Sequence, residues 1–150
     1  METIEEVQTM ETTKTIKGTK KELADIFSGL FLVQELPGKK FSLAVSKNIT
    51  IIQDALKDVE KAGKPSQEFM ILAEQVNKIA SSMPEEDAKK QIDEIEKENK
   101  ELVEARRKQM EKVEKMLLKS IDVELQIISE EVLPEDITAQ QINKIIKIIE

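Results

Sequence analysis

Acidic side chains supply most of the chemistry that this sequence could perform. Glu85-Glu86-Asp87 and Glu130-Glu131 are neighbouring carboxylates of the type that serve as acid and base or hold a divalent ion. Oxygen-ligand loops for calcium alternate their acids around a turn glycine, and neither run does. Both therefore read as a solvated helix end or loop. Pro37-Gly38-Lys39-Lys40 invites a phosphate-loop reading, but the Gly-x-x-x-x-Gly-Lys-Ser/Thr spacing is missing, and the segment reads as a turn. Arg106-Arg107-Lys108 is a basic spot flanked by Glu104 and Glu111, which leaves little local positive charge for a nucleic acid. No nucleophile–base pair, glycine-rich cradle or oxyanion motif can be assembled. The expectation is a protein that is not an enzyme, with no catalytic residue, no cofactor and no metal.

Composition narrows the classes further. The 150 residues include no His and no Cys, which removes imidazole and thiolate zinc sites, thiol nucleophiles, Ser-His-Asp arrangements and disulfides. Trp and Tyr are absent and Phe occurs four times, so platforms for stacking bases are scarce. A net charge of -7 repels phosphate backbones, and no nucleic acid partner is expected. Apolar runs such as Leu30-Phe31-Leu32-Val33 fall far short of the roughly 20 residues that cross a membrane, so no membrane partner is expected either. Residues 1–13 carry Glu2, Glu5, Glu6 and Glu11 without a single Lys or Arg. That is the opposite of a secretory signal, and the segment reads as a flexible acidic tail.

The elements follow from spacing. Thr15-Ile16 is a short strand candidate, and Thr19 with Glu22 has the capping-box spacing that starts a helix. That helix should run from Lys20 to Gln34, with Leu23, Ile26, Phe27, Leu30, Phe31 and Val33 at three- and four-residue steps. Gly29 within it weakens the helix by about 1 kcal/mol relative to Ala, which points to close packing there. A second helix is expected over 40–61, with Phe41, Val45, Ile49, Ile52, Leu56 and Val59 on one face. Gly63 and Pro65 end it, and Ser66 caps a third amphipathic segment carrying Phe69, Leu72, Ala73, Val76, Ile79 and Ala80.

A fourth helix, expected over 84–119, has no Gly or internal Pro and would span about 54 Å. Acid-first pairs such as Glu85–Lys89, Asp93–Lys97 and Glu104–Lys108 support it. Its seam is thin: Ile92, Ile95, Leu102, Val113 and Met116, with Asn99 and Arg106 in line. This stripe resembles a coiled-coil edge more than a core wall. It fits the long arm of an intramolecular hairpin or, alternatively, a homo-oligomer. From Ile121 the period changes to two, predicting a strand over 121–127 whose available partner is the segment at Thr15-Ile16. Thr138 and Gln141 form a second capping box, opening a last helix with Ile142, Ile145, Ile146 and Ile149.

Together these predict a mostly α protein: a helical hairpin or bundle with one long charged helix packed antiparallel on the second. A small two-stranded β element joins the N- and C-terminal parts. Residues 14–150 are expected to form a single helical domain, with a core of Leu23, Ile26, Phe27, Leu30, Phe41, Val45, Ile49, Ile52, Leu56, Leu102, Val113, Leu117, Val123, Leu125, Ile142 and Ile145.

The order Lys14-Thr15-Ile16-Lys17-Gly18-Thr19, Leu36-Pro37-Gly38-Lys39, Lys47-Asn48-Ile49, the strand Ile121–Ile127 and the helix start Asp136-Ile137-Thr138 resembles a group of small uncharacterised proteins of tailed phages and prophages. The resemblance covers residues 14–149 and rests on turn and core signals. It implies a viral accessory or virion-associated protein that works by binding other proteins, located in the virion or the host cytoplasm. Phe31, Leu32, Ile148 and Ile149 are the expected docking residues, because apolar residues cover more of each helix circumference than one buried face needs. The alternative is an acidic inhibitor of a host defence protein, acting through Glu94, Glu98, Glu101 and Glu104 on the long helix.

Overall fold

The computed structural model describes residues 13–150, so the expected tail over residues 1–12 lies outside the described residues. Thr13, placed in that tail by its composition, instead begins a strand. The order is β1 (Thr13–Thr19), α1 (Lys20–Val33), α2 (Lys39–Ala55), α3 (Lys57–Gly63), α4 (Gln67–Ser82), α5 (Glu85–Glu98), α6 (Lys100–Leu117), β2 (Ser120–Gln126) and α7 (Ala139–Lys144), with 3-10 turns at Glu130–Val132 and Ile146–Ile148. The fold is mostly α with a two-stranded antiparallel sheet, as the sequence pattern predicts. Contacts group the chain into two compact units, residues 13–58 with 117–150, and Val59–Met116.

In the first unit, β1 and β2 pair from Thr13 opposite Gln126 to Thr19 opposite Ser120, which sets Ile16 against Val123. Helix α1 leaves the sheet through the expected capping box. The Thr19 hydroxyl accepts from the Glu22 N–H and the Glu22 carboxylate accepts from the Thr19 N–H, each at 3.2 Å. Its inner face, Leu23, Ile26, Leu30 and Val33, packs on Phe41, Val45 and Ile52 of α2. On its other flank α7 lies close: a methyl group at Gly29 would come within 2.8 Å of Lys144 Cβ and 3.1 Å of the Lys144 carbonyl oxygen. Gly29 therefore trades helix propensity for this approach.

Asn48 is fully buried among these apolar side chains. Its Nδ2 donates to the Gln126 carbonyl at 2.9 Å and its Oδ1 accepts from the Gln126 N–H at 2.6 Å. For one residue, α2 acts as a third strand along the free edge of β2. Two residues further on, Ile128 pairs in parallel with the chain end. The Ile128 N–H donates to the Ile148 carbonyl at 2.7 Å, and the Glu150 N–H donates to the Ile128 carbonyl at 3.0 Å.

The second unit is a helical hairpin in which α4 lies against α5. The long helix was expected to take the second helix as its partner over their whole length. In fact α2 packs on α1 and β2, and the hairpin is made with α4, while only the stretch around Ala62–Lys64 reaches α6. Leu102 and Val113 accordingly belong to this second unit and not to the core around Phe41.

Three helix boundaries also differ from expectation. The helix over 40–61 breaks at Leu56, whose side chain stays on the first core, before α3 begins. The helix over 84–119 breaks at Asn99. There both the side-chain Nδ2 and the backbone N–H donate to the Ile95 carbonyl, at 2.9 and 3.0 Å, so the side chain competes for a helical acceptor. The last helix stops at Lys144, because the pairing with Ile128 draws the backbone out of helical geometry.

Asn48→Ala should lower the free energy of unfolding by about 2–4 kcal/mol, since both backbone groups of Gln126 lose their partner beside the core. Urea unfolding followed by circular dichroism measures this. A loss below about 0.5 kcal/mol, the ordinary scatter of surface substitutions, contradicts it.

Candidate protein-binding surfaces

Helix α1 buries one face and exposes the other because its apolar residues exceed one stripe. Phe31 and Leu32 remain 47% and 56% exposed while Leu30 and Val33 on either side of them are fully buried. The Phe31 ring lies 4.9 Å from that of Phe27, tilted by 58°, so the half-buried Phe27 supports it from the preceding turn. The i,i+4 spacing of the two rings was visible in the sequence, although Phe27 was assigned wholly to the core.

The other two expected docking residues are placed differently. Ile148 is fully buried in the first core, and Ile149 is half-buried where it bridges to Ile128, so neither presents a face like that of Phe31. The 3-10 turn Ile146–Ile148 rotates Ile146 outward instead, leaving it 52% exposed. A continuous helix through Ile149 would have exposed a different set, so spacing alone does not place Ile146 outward and Ile148 inward.

At the start of α1, Glu22 has a second partner besides its capping role. The Lys147 ammonium donates to its carboxylate at 2.9 Å. That hydrogen bond, then the Thr19 N–H and the Lys147 charge, holds the Glu22 carboxyl below its ordinary value. The ion pair ties the helix start to the segment that carries Ile146 and Ile148.

In the second unit, Glu94, Glu98 and Glu101 are exposed on α5 and α6, with the break at Asn99 interrupting their helical register. Glu104 differs from them. The Arg107 guanidinium donates to it and to Glu111, and the Arg107 hydrogen bond holds the Glu104 carboxyl below its ordinary value. Glu104 is thus already paired within the helix, where it shares the single Arg107 charge with Glu111. Glu98, Asn99, Lys100 and Glu101, with Glu68 and Leu102, border an open depression of about 550 Å³ of mixed charge. Among the described residues no group of three or more acidic side chains is arranged to hold a metal ion. No described helix is long and apolar enough to cross a membrane.

Arg106, an in-line residue of the thin seam, caps α3. It donates to the Gly63 carbonyl at 2.8 Å and to Gln109 Oε1 at 2.9 Å, with its guanidinium 5.4 Å from the centre of the Phe69 ring. Gln109 donates in turn to the carbonyls of Ala62 and Lys64, at 2.8 and 2.7 Å. Three carbonyls at a helix end, which have no intrahelical donor, are satisfied by two side chains of α6.

Comparison with family models, with curated proteins and with solved structures returns no match for this chain.

Two measurements test these assignments. Arg106→Ala should cost about 1–3 kcal/mol, the range for hydrogen bonds from a charged donor, and amide exchange should accelerate first around Ala62–Lys64. Unchanged protection there contradicts the capping role. For Glu22 the folded carboxyl binds its proton less tightly than the unfolded one. Its contribution is therefore complete above the ordinary value of 4.5 and is lost as pH falls through the lowered folded value. Glu22→Gln keeps the capping geometry but not the charge. The stability gap between wild type and variant should be constant from neutral pH to about 5 and close below it. A gap that persists unchanged into acid contradicts this.

Proposed function

We propose that this chain is a non-enzymatic, phage-encoded protein that acts by binding another protein, as a component of the virion or during its assembly. The observation that carries the reading is the pair Phe31–Leu32, exposed on a helix whose inner face already fills the core beneath it. The folded unit needs neither side chain outside. Exposed aromatic and aliphatic residues held on a rigid helix, with Phe27 bracing Phe31, suit a docking anchor. Ile146, exposed on the same unit, replaces Ile148 and Ile149 among the residues assigned to docking.

A second reading keeps the acidic inhibitor of a host protein. It is favoured by the exposed carboxylates Glu94, Glu98 and Glu101, and gives less weight to Glu104, which is half-buried and already paired with Arg107. The two readings differ in their response to salt, because apolar docking is insensitive to ionic strength and charge steering is not.

The test uses tagged chain mixed with extract from phage-producing cells, with bound head and tail proteins quantified by mass spectrometry. Phe31→Ser with Leu32→Ser should reduce capture of virion proteins at least tenfold while leaving the helical circular dichroism unchanged. Capture should persist when sodium chloride is raised to about 0.5 M. Full capture by the double variant, or loss of capture with salt alone, contradicts docking through α1.

A further inference from the structure

The second unit is too thin to be complete by itself. Within Val59–Met116, the apolar side chains that reach full burial among the described residues are Leu72, Ala88 and Val113. The rest of the seam is half-exposed: Ile92, Ile95 and Leu102 on α5 and α6, and Phe69, Val76 and Ile79 on α4. These residues recur at alternating three- and four-residue steps, as the seams of packed helices do. A single hairpin offers each helix one neighbour, whereas a four-helix layer would close the same seam.

Charge identifies what closes it. The part nearer the Ser82–Pro84 turn, residues 67–104, holds eleven acids against five lysines, a net of -6. The part at which the chain enters and leaves the unit, residues 59–66 and 105–116, holds seven bases against three acids, a net of +4. One hairpin thus carries an acidic tip and a basic base. A partner of one charge sign satisfies only one end, and a nucleic acid is repelled by the tip. A second copy turned end for end meets both at once. Two-fold symmetry generates this arrangement, since each tip then faces the other copy's base.

We infer that the hairpin Val59–Met116 is a self-association arm, covered in solution by the same hairpin of a second copy lying antiparallel, tip against base. The half-exposed seam provides the affinity, and the opposed charges set the direction and exclude parallel pairing. This goes beyond the docking reading for α1, and neither depends on the other.

Sedimentation equilibrium of the full chain, from about 1 to 200 μM, reads the association directly, with sodium chloride varied from about 0.05 to 0.5 M. The expected mass is that of two chains at the higher concentrations, with the dissociation constant rising several-fold with salt. A base-reversed variant, Lys108→Glu with Lys112→Glu and Lys115→Glu, should be monomeric. So should a tip-reversed variant, Glu94→Lys with Glu98→Lys and Glu101→Lys. All six positions are exposed. An equimolar mixture of the two should recover the mass of two chains, because the lysines introduced at the tip of one copy then face the glutamates introduced at the base of the other, while the unaltered acidic tip faces the unaltered basic base. The neutral set Lys108→Gln, Lys112→Gln and Lys115→Gln should weaken association less than the reversal does, a comparison that holds even if one reversed variant folds poorly. A wild-type chain that stays at the mass of one copy throughout overturns the inference. So does a two-chain mass retained by either reversed variant alone.

Discussion

The paired hydrogen bonds between Asn48 and the backbone of Gln126 are the constraint on which the first unit turns. A two-stranded sheet leaves two unpaired edges, and the end of β2 that reaches the core could not remain there without partners. Asn is suited to the role because one side chain offers both a donor and an acceptor in the spacing of a neighbouring strand. The bonds at 2.9 and 2.6 Å fix α2 to β2, and α2 in turn presents Phe41, Val45 and Ile52 to α1. The edge is then continued by Ile148 and Glu150 pairing with Ile128, which brings α7 close enough to α1 to require Gly29. Each later contact assumes the earlier one.

That sequence of constraints decides which apolar side chains are left exposed. Once α1 is held on one flank by α2 and on another by α7, Phe31 and Leu32 have only the solvent side. The same pairing of the chain end that buries Ile148 turns Ile146 outward. Exposed apolar surface here is a consequence of how the core closes. The hairpin is organised differently. Its helices are joined by a thin seam and by polar caps such as Arg106 and Gln109, so its identity rests on charge pattern more than on buried volume.

What was legible in the sequence was local. The two capping boxes at Thr19 and Thr138 and the cap at Ser66 form as their spacing requires, and the period-two run after Ile121 pairs with the segment at Ile16. Gly29 marks a close approach, as its cost within a helix suggested. The breaks at Leu56 and Asn99 were not legible, because the three- and four-residue spacing of each stripe runs through both, with Asn99 standing in line as a polar member of its seam. A side chain's competition for the Ile95 carbonyl leaves no trace in periodicity. Asn48 was hidden for a related reason: it falls in line with Phe41, Val45 and Ile52, but a polar residue next to Ile49 reads as the edge of the stripe. The burial of Ile148 and the exposure of Ile146 were not legible, because a hydrogen bond to Ile128, twenty residues from Ile148 in sequence, sets the backbone there.

Native-state hydrogen exchange at the Gln126 amide tests the central constraint most directly. If Asn48 holds the end of β2 as described, this amide exchanges only through unfolding of the whole first unit, with the same free energy as the amides of Leu125 and Ile52. Exchange of Gln126 by local fraying, faster by orders of magnitude than those core amides, would contradict the account.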